Sequence, residues 1–233
     1  MRGPVQDEPQ GPTLLNTHLF GAPTIGGNNV TVRPEVLPFD WGQAFGREAP
    51  RTLEIGFNRG KFLSELALRW PDHDHIGIEI RRRYCWRLAN LLDRDPEHGG
   101  NVRLVWADAK RVTADLLPPG SLHAIFVNFP DPWWKRRHEK RRLVQPEYAQ
   151  ELRDLLAVGG AVWVKSDVAA IAEEIDASLA GTPGFEGPEP FGPDDLPFTY
   201  REAKCVKAGM PIHRFRYRRV AVAAGDGQST TNT

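Results

Sequence analysis

From Arg51 onward the chain falls into short apolar blocks separated by turn residues. Thr52-Leu53-Glu54-Ile55 is a β-like run closed by Gly56, and Phe62, Leu66 and Ala67 recur at helical spacing within Lys61 to Arg69. His75 to Ile80 predicts a second strand, Arg83 to Leu92 a second helix, and Val102 to Trp106 a third strand. Leu122 to Phe129 predicts a fourth strand, ended by Pro130. Pro146 suits the first position of a helix running to about Leu156, since its missing N–H is one the helix start leaves unpaired anyway. A Gly159-Gly160 turn then leads to a strand over Ala161 to Lys165, with a helix from about Ala169 to Leu179. Strands alternating with helices at this pitch predict an α/β fold, a mostly parallel sheet with helices on both faces. After the Pro/Gly-rich stretch from Gly181 to Pro197, Phe198 to Arg201 and His213 to Val222 predict a closing antiparallel strand pair.

The ends have a different texture. Seven prolines and seven glycines fall within residues 1–50, and the first ten positions hold no apolar stretch of the signal-peptide kind. The expected organisation is an irregular, partly disordered extension over 1–38, one folded domain over 39–223, and a polar tail over 224–233. Asp40-Trp41 to Phe45 is expected to form a short docked helix ahead of the core. At 233 residues the chain is long enough to bury a core of its own, and no apolar run approaches membrane-spanning length. The only two cysteines, Cys85 and Cys205, are isolated, which argues against a disulfide framework or a thiolate zinc site and for a reducing, cytoplasmic setting. Thirty Lys+Arg balance thirty Asp+Glu, so any affinity for a polyanion has to come from a local basic face.

Three acids fall at the ends of the first three predicted strands. Glu54 precedes the Gly56-Phe57-Asn58-Arg59-Gly60 turn, Glu79 ends the second strand, and Asp108 follows the third. A glycine turn after the first strand lets a ligand approach the backbone, and a second-strand carboxylate can accept ribose hydroxyls. Gly56 and Gly60 do not make the dinucleotide pattern, and a carboxylate at the turn repels pyrophosphate while suiting a cationic amino-acid moiety. S-adenosylmethionine therefore fits better than a nicotinamide dinucleotide. Asp108 is placed either to accept the exocyclic amine of adenine or to cap the next helix.

Asn128-Phe129-Pro130-Asp131-Pro132-Trp133-Trp134-Lys135 follows the fourth strand, with two prolines fixing the chain around Asp131 and two tryptophans offering stacking surfaces. From Lys135 to Arg142, six of eight residues are Lys or Arg. A charge run beside a stacking loop at a ligand-binding edge points to phosphate contact.

Together these strings resemble the bacterial tRNA (guanine-N7-)-methyltransferases from about Asp40 to Tyr217. The matching pieces are Asp40-Trp41 with Phe45-Gly46, Leu53 to Phe57, Gly77 to Glu79, Asp108-Ala109, Phe129 to Trp133 with Lys135, Arg137 to Glu147, and Thr199 with Glu202. The resemblance implies a Rossmann-like class I methyltransferase that uses S-adenosylmethionine to methylate N7 of guanine 46 in the tRNA variable loop. It further implies that Glu54, Gly56, Glu79, Asp108 and Asp131 bind the methyl donor, with Asp131 also catalytic. Lys135, Asp167, Thr199 and Glu202 would bind the substrate nucleotide, and Arg137, Lys140, Arg141 and Arg142 would contact RNA. Neither a metal nor a membrane is expected, and the chain is expected to be a monomer or weak homodimer. Asn58 departs from the family's usual Gly-Phe-Gly-x-Gly turn, but Asn is the non-glycine residue that best tolerates positive φ. The rival readings are an amino-group methyltransferase acting on adenine or glutamine, and a binding-only relative that has lost activity.

Overall fold

The computed structural model describes residues 39–94 and 99–222, together with three short strands in the lead-in. Those strands, β1 (Leu14–Thr17), β2 (Pro23–Ile25) and β3 (Val30–Thr31), fall in the stretch expected to be irregular. Each is a short run between Pro/Gly clusters that contains Leu, Ile, Val or Thr, and β1 adds in parallel to the edge of the main sheet. The rest of 1–38 and the tail over 224–233 lie outside the described residues.

The main sheet contains β4 (Arg51–Ile55), β5 (Asp74–Glu79), β6 (Val102–Trp106), β7 (Leu122–Asn128), β8 (Leu156–Ser166), β9 (Phe185–Pro190) and β10 (His213–Arg219). With the lead-in strands its order is β3-β2-β1-β6-β5-β4-β7-β8-β10-β9. The strands from β6 to β8 pair in parallel, whereas β10 runs antiparallel to both β8 and β9. Successive strand residues point to opposite faces, and both faces are covered. Leu53, Ile55, Ile125, Val127, Val162 and Val164 pack on one face with residues of α4 (Ala109–Leu116), α5 (Pro146–Leu155) and α6 (Ala169–Ala180). On the other face Val102 and Leu104 meet α2 (Lys61–Arg69) and α3 (Arg82–Leu92), and Ala124 and Phe126 meet Phe62 and Leu66 of α2. No helix among the described residues is long and apolar enough to cross a membrane.

The expected lead-in helix is α1 (Trp41–Phe45), capped by Asp40 at its start and by Gly46 in the left-handed conformation at its end. Its Trp41 is buried and donates its indole N–H to the Leu116 carbonyl at 2.7 Å.

Three expectations need correction. Gly159-Gly160 does not form a turn ahead of the strand, because β8 already begins at Leu156. Leu122 pairs with Leu156 while Ala124 pairs with Ala161, so the glycines sit in a bulge within the strand. Phe198 to Arg201 is not a strand either. Thr199 and Glu202 form a capping box that starts α7 (Tyr200–Lys207). The antiparallel C-terminal pair is β9 with β10, and β9 lies inside the stretch expected to be a connection. Alternating apolar spacing did not reveal β9 (Phe-Glu-Gly-Pro-Glu-Pro), whose pairing depends on β10 beside it.

Candidate active site

The strand order reverses at β4, with β5 and β6 to one side and β7 and β8 to the other. At such a switch point the loops leaving neighbouring strands diverge and open a crevice beyond their C-terminal ends. A cleft of about 650 Å³ lies there, lined by Gly56, Asn58, Glu79, Arg81, Asp108, Asp131 and Trp133 among others.

The floor of the cleft is the turn after β4. Gly56 has φ +77° and its N–H donates to Ile78 O at 2.7 Å, tying the turn to β5. A side chain on Gly56 would meet no protein atom within 4 Å, so the space above it belongs to the cleft. Asn58 has φ +53°, the conformation a middle glycine would supply, and its backbone N–H donates to Glu79 Oε2 at 2.9 Å. The other Glu79 oxygen accepts from Arg81 N at 2.8 Å. Two backbone donors thus fix the Glu79 carboxylate at the end of β5. Each oxygen keeps a lone pair to accept from a ligand.

Glu54 lies deeper, 2 % exposed, and is not part of the cleft lining. Its Oε1 accepts from Asn128 Nδ2 at 3.0 Å, whereas its Oε2 is buried without a partner. Burial raises its pKa to about 8, against the opposing effects of the Asn128 hydrogen bond and the Lys165 charge. Asp108 does cap a helix, accepting from Lys110 N at 3.2 Å at the start of α4. It still lines the cleft, 3.8 Å from Arg111 Nε. The two readings of Asp108 are therefore compatible.

Asp131 stands on the opposite wall, its side chain 62 % exposed and 3.3 Å from Arg81 Nη2. The loop holding it is strained. Phe129 (φ +51°) and Trp133 (φ +46°) both adopt the left-handed conformation, which costs a bulky residue about 1–3 kcal/mol each. Surrounding contacts oppose that strain: Phe129 N donates to Lys165 O at 2.7 Å, and Arg142 Nε donates to Pro132 O at 3.1 Å while its Nη1 pairs with Glu174. Arg142 thus braces the loop against α6. Arg141 lies over the Trp133 ring at 5.2 Å, and His138 meets the same ring edge-on. Lys140 and Arg141 line the cleft; Arg137 and Lys135 do not.

Asp167, Thr199 and Glu202 form a separate cluster outside the cleft lining. Asp167 accepts from the Arg201 guanidinium, and Thr199 Oγ1 accepts from Glu202 N at 2.9 Å. Glu202 is fully buried, its oxygens taken by Lys165 Nζ at 2.7 Å and Arg214 Nη2 at 2.9 Å. Sequence reasoning missed this triad, the Arg81–Asp131 pair and the Asn128–Glu54 bond. The Thr-x-x-Glu spacing at 199–202 was a readable capping signal; partners far apart in sequence, such as Lys165 and Arg214, leave no local one.

The residues present fit S-adenosylmethionine. Anchored Glu79 offers acceptors for ribose hydroxyls, and the buried Glu54 Oε2 beneath the turn is a polar atom left without a protein partner. Strand order, switch-point cleft and strand-end acids together define a class I S-adenosylmethionine-dependent methyltransferase. A family profile described as "Putative methyltransferase" matches residues 48–215. A tRNA (guanine-N(7)-)-methyltransferase of Alkalilimnicola ehrlichii is 41% identical over 190 residues, covering 80% of this chain and 79% of the relative. The protein of that description from Pseudoalteromonas atlantica is 38% identical over 187 residues, 78% of this chain and 77% of the relative. A solved 16S rRNA methyltransferase, KamB, shares the fold with a TM-score of 0.59 at 14% identity, over 78% of this chain and 93% of that one. The chain belongs to the bacterial tRNA (guanine-N7-)-methyltransferase family.

Proposed function

We propose that this protein methylates N7 of guanine 46 in the variable loop of tRNA, with S-adenosylmethionine as methyl donor. The observation that carries the reading is the pairing of an acid-lined donor cleft with a wall of Asp131, Trp133, Lys140 and Arg141 on its substrate side. The donor supplies an electrophilic methyl group on a sulfonium centre.

Guanine N7 carries an in-plane lone pair and no proton, so no general base is required. Catalysis then rests on alignment and fixed electrostatics. Positive charge builds on the purine as the bond forms, and Asp131, open to the cleft, is placed to offset it. The Arg81 contact holds the Asp131 carboxylate in position, and the strained, doubly proline-flanked loop limits its freedom. Trp133 offers a stacking face, and Lys140 and Arg141 supply positive charge for phosphate. Lys135, Arg137, Asp167 and Thr199 remain assigned to the RNA side. Glu202 acts through the 199–202 turn, which it anchors from within the core.

The test is transfer of labelled methyl from S-adenosylmethionine to unmodified tRNA, followed by digestion to nucleosides. The label should appear in 7-methylguanosine, and Asp131→Asn should lower kcat by about 10²-fold or more, in the range of a lost electrostatic catalytic group. Label in an amino-methylated nucleoside, or wild-type turnover by Asp131→Asn, would overturn the assignment.

A further inference from the structure

Outside the cleft, the surface around the start of α3 carries arginines and aromatic rings in alternation. Arg59 lies over the Tyr200 ring at 5.7 Å, Arg83 over Tyr84 at 4.7 Å, and Arg81 over Tyr84 at 5.9 Å. Farther on, Arg82 sits over both Trp86, at 4.6 Å, and Trp106, at 5.3 Å. Helical spacing produces this face. Cys85, Leu88, Ala89 and Leu92 point into the core, which leaves Arg82, Arg83, Trp86 and Arg87 outside at i, i+3 and i+4. Trp86 is 36 % exposed and packs edge-on against Trp106 at 6.0 Å, which leaves part of its ring open at the surface.

Two further observations join these contacts into one track. Burial pushes the Tyr84 hydroxyl up, yet the hydrogen bond from Arg83 and the charges of Arg83, Arg81 and Arg59 bring it below its ordinary value. Arg59 therefore belongs to the same positive field. Among the described residues no ion pair joins Arg59, Arg82, Arg83 or Arg87 to an acid. Arg81 is the exception, and its partner is Asp131 at the cleft wall. The track thus starts beside the Thr199–Glu202 turn at Tyr200, passes the cleft mouth at Arg81, and reaches Trp106 at the C-terminal end of β6, where β1 pairs alongside.

We infer that this arginine–aromatic track is a second RNA-contact surface, which holds tRNA nucleotides outside the variable loop on the wall opposite the Lys135–Arg142 run. Guanidinium groups preorganised over rings present their remaining N–H donors to phosphate, while exposed ring faces and edges accept unstacked bases. A protein partner would be expected to find apolar continuity here. The surface instead concentrates one sign of charge on a chain of zero net charge, the complement of a polyanion.

This inference rests on tRNA being the substrate, and the experiment separates the two. Arg82→Ala/Arg83→Ala, Arg82→Lys/Arg83→Lys and Trp86→Ala would be compared with the unsubstituted chain for tRNA affinity across a salt series, alongside S-adenosylmethionine affinity and kcat at saturating tRNA. The alanine pair should weaken tRNA binding about tenfold or more. Its log–log salt slope should become shallower by about one for each phosphate that is no longer neutralised. Donor affinity and kcat should stay unchanged. The lysine pair should restore the slope, and Trp86→Ala should weaken binding with the slope retained. Unchanged affinity and slope in the alanine pair would overturn the track, whatever the chain methylates. An unsubstituted chain that binds tRNA through these residues but methylates no guanine would sink the functional reading and leave the track standing.

Discussion

Replacing Glu54 by Gln removes the most perturbed acid beneath the donor site while preserving its shape. The amide oxygen can still accept from Asn128 Nδ2, so the substitution chiefly deletes a titration. Burial raises the Glu54 pKa from an ordinary 4.5 to about 8. Between those values the folded state holds a proton that the unfolded state has released, so unfolding becomes easier as pH rises. The stability that Glu54 contributes is therefore complete below pH 4.5 and lost as pH passes through about 8. At about 1.4 kcal/mol per pH unit, that interval integrates to roughly 5 kcal/mol, comparable with the whole stability of a marginal domain. Glu54→Gln has no such slope. Denaturant unfolding followed by tryptophan fluorescence at pH 5, 6, 7, 8 and 9 should show the variant gaining on the parent from pH 5 to 8, then levelling. Taking the difference between the two proteins cancels other titrations, such as that of His75, whose pKa burial lowers to about 4. A flat difference curve would refute the reasoning and mean that Glu54 ionises as a solvated acid. At pH 9, where the parent carboxylate is charged, the variant should also bind S-adenosylmethionine about tenfold more weakly, because it lacks the charge that complements a cationic ligand.

Two other substitutions probe the turn after β4. Gly60→Ala would place a Cβ 2.3 Å from Leu88 Cδ2 at φ +77°, so it should destabilise the protein by about 2–3 kcal/mol in thermal or chemical unfolding. Glu79→Gln leaves the carbonyl oxygen for one of the Asn58 and Arg81 backbone donors but sets an NH₂ against the other. It should weaken S-adenosylmethionine binding by about tenfold or more in a calorimetric titration, with tRNA affinity unchanged.

The parallel layers were legible because local signals agreed with the tertiary outcome. Leu53 and Ile55 or Ile125 and Val127 read as strand positions, and they sit on one buried face. Glu79 and Asp108 could be grouped from sequence because strand ends in such a sheet converge by topology, whereas Glu54 lies buried beneath the cleft rather than in its lining. The C-terminal third was harder. Phe198 to Arg201 contains β-formers, yet the Thr199–Glu202 capping box and the burial of Glu202 between Lys165 and Arg214 set a helix there instead. β10, with five basic residues in seven, gives little alternation to read. Arg216 lies over Trp163 and pairs with Glu189, and Arg218 also pairs with Glu189, so that strand is defined by its neighbours. Arg142 is a similar case: its place in a basic run pointed to RNA, while its contacts with Pro132 and Glu174 brace the Asp131 loop.

The most direct test of the central claim is to locate the methyl group on the RNA. After incubation with the protein and S-adenosylmethionine, an unmodified tRNA can be treated with borohydride and aniline, which break the chain at 7-methylguanosine. Scission at position 46 in the parent tRNA, and none when that guanine is replaced by adenine, is the predicted result. Scission elsewhere, or persistence of the break after the replacement, would contradict the account.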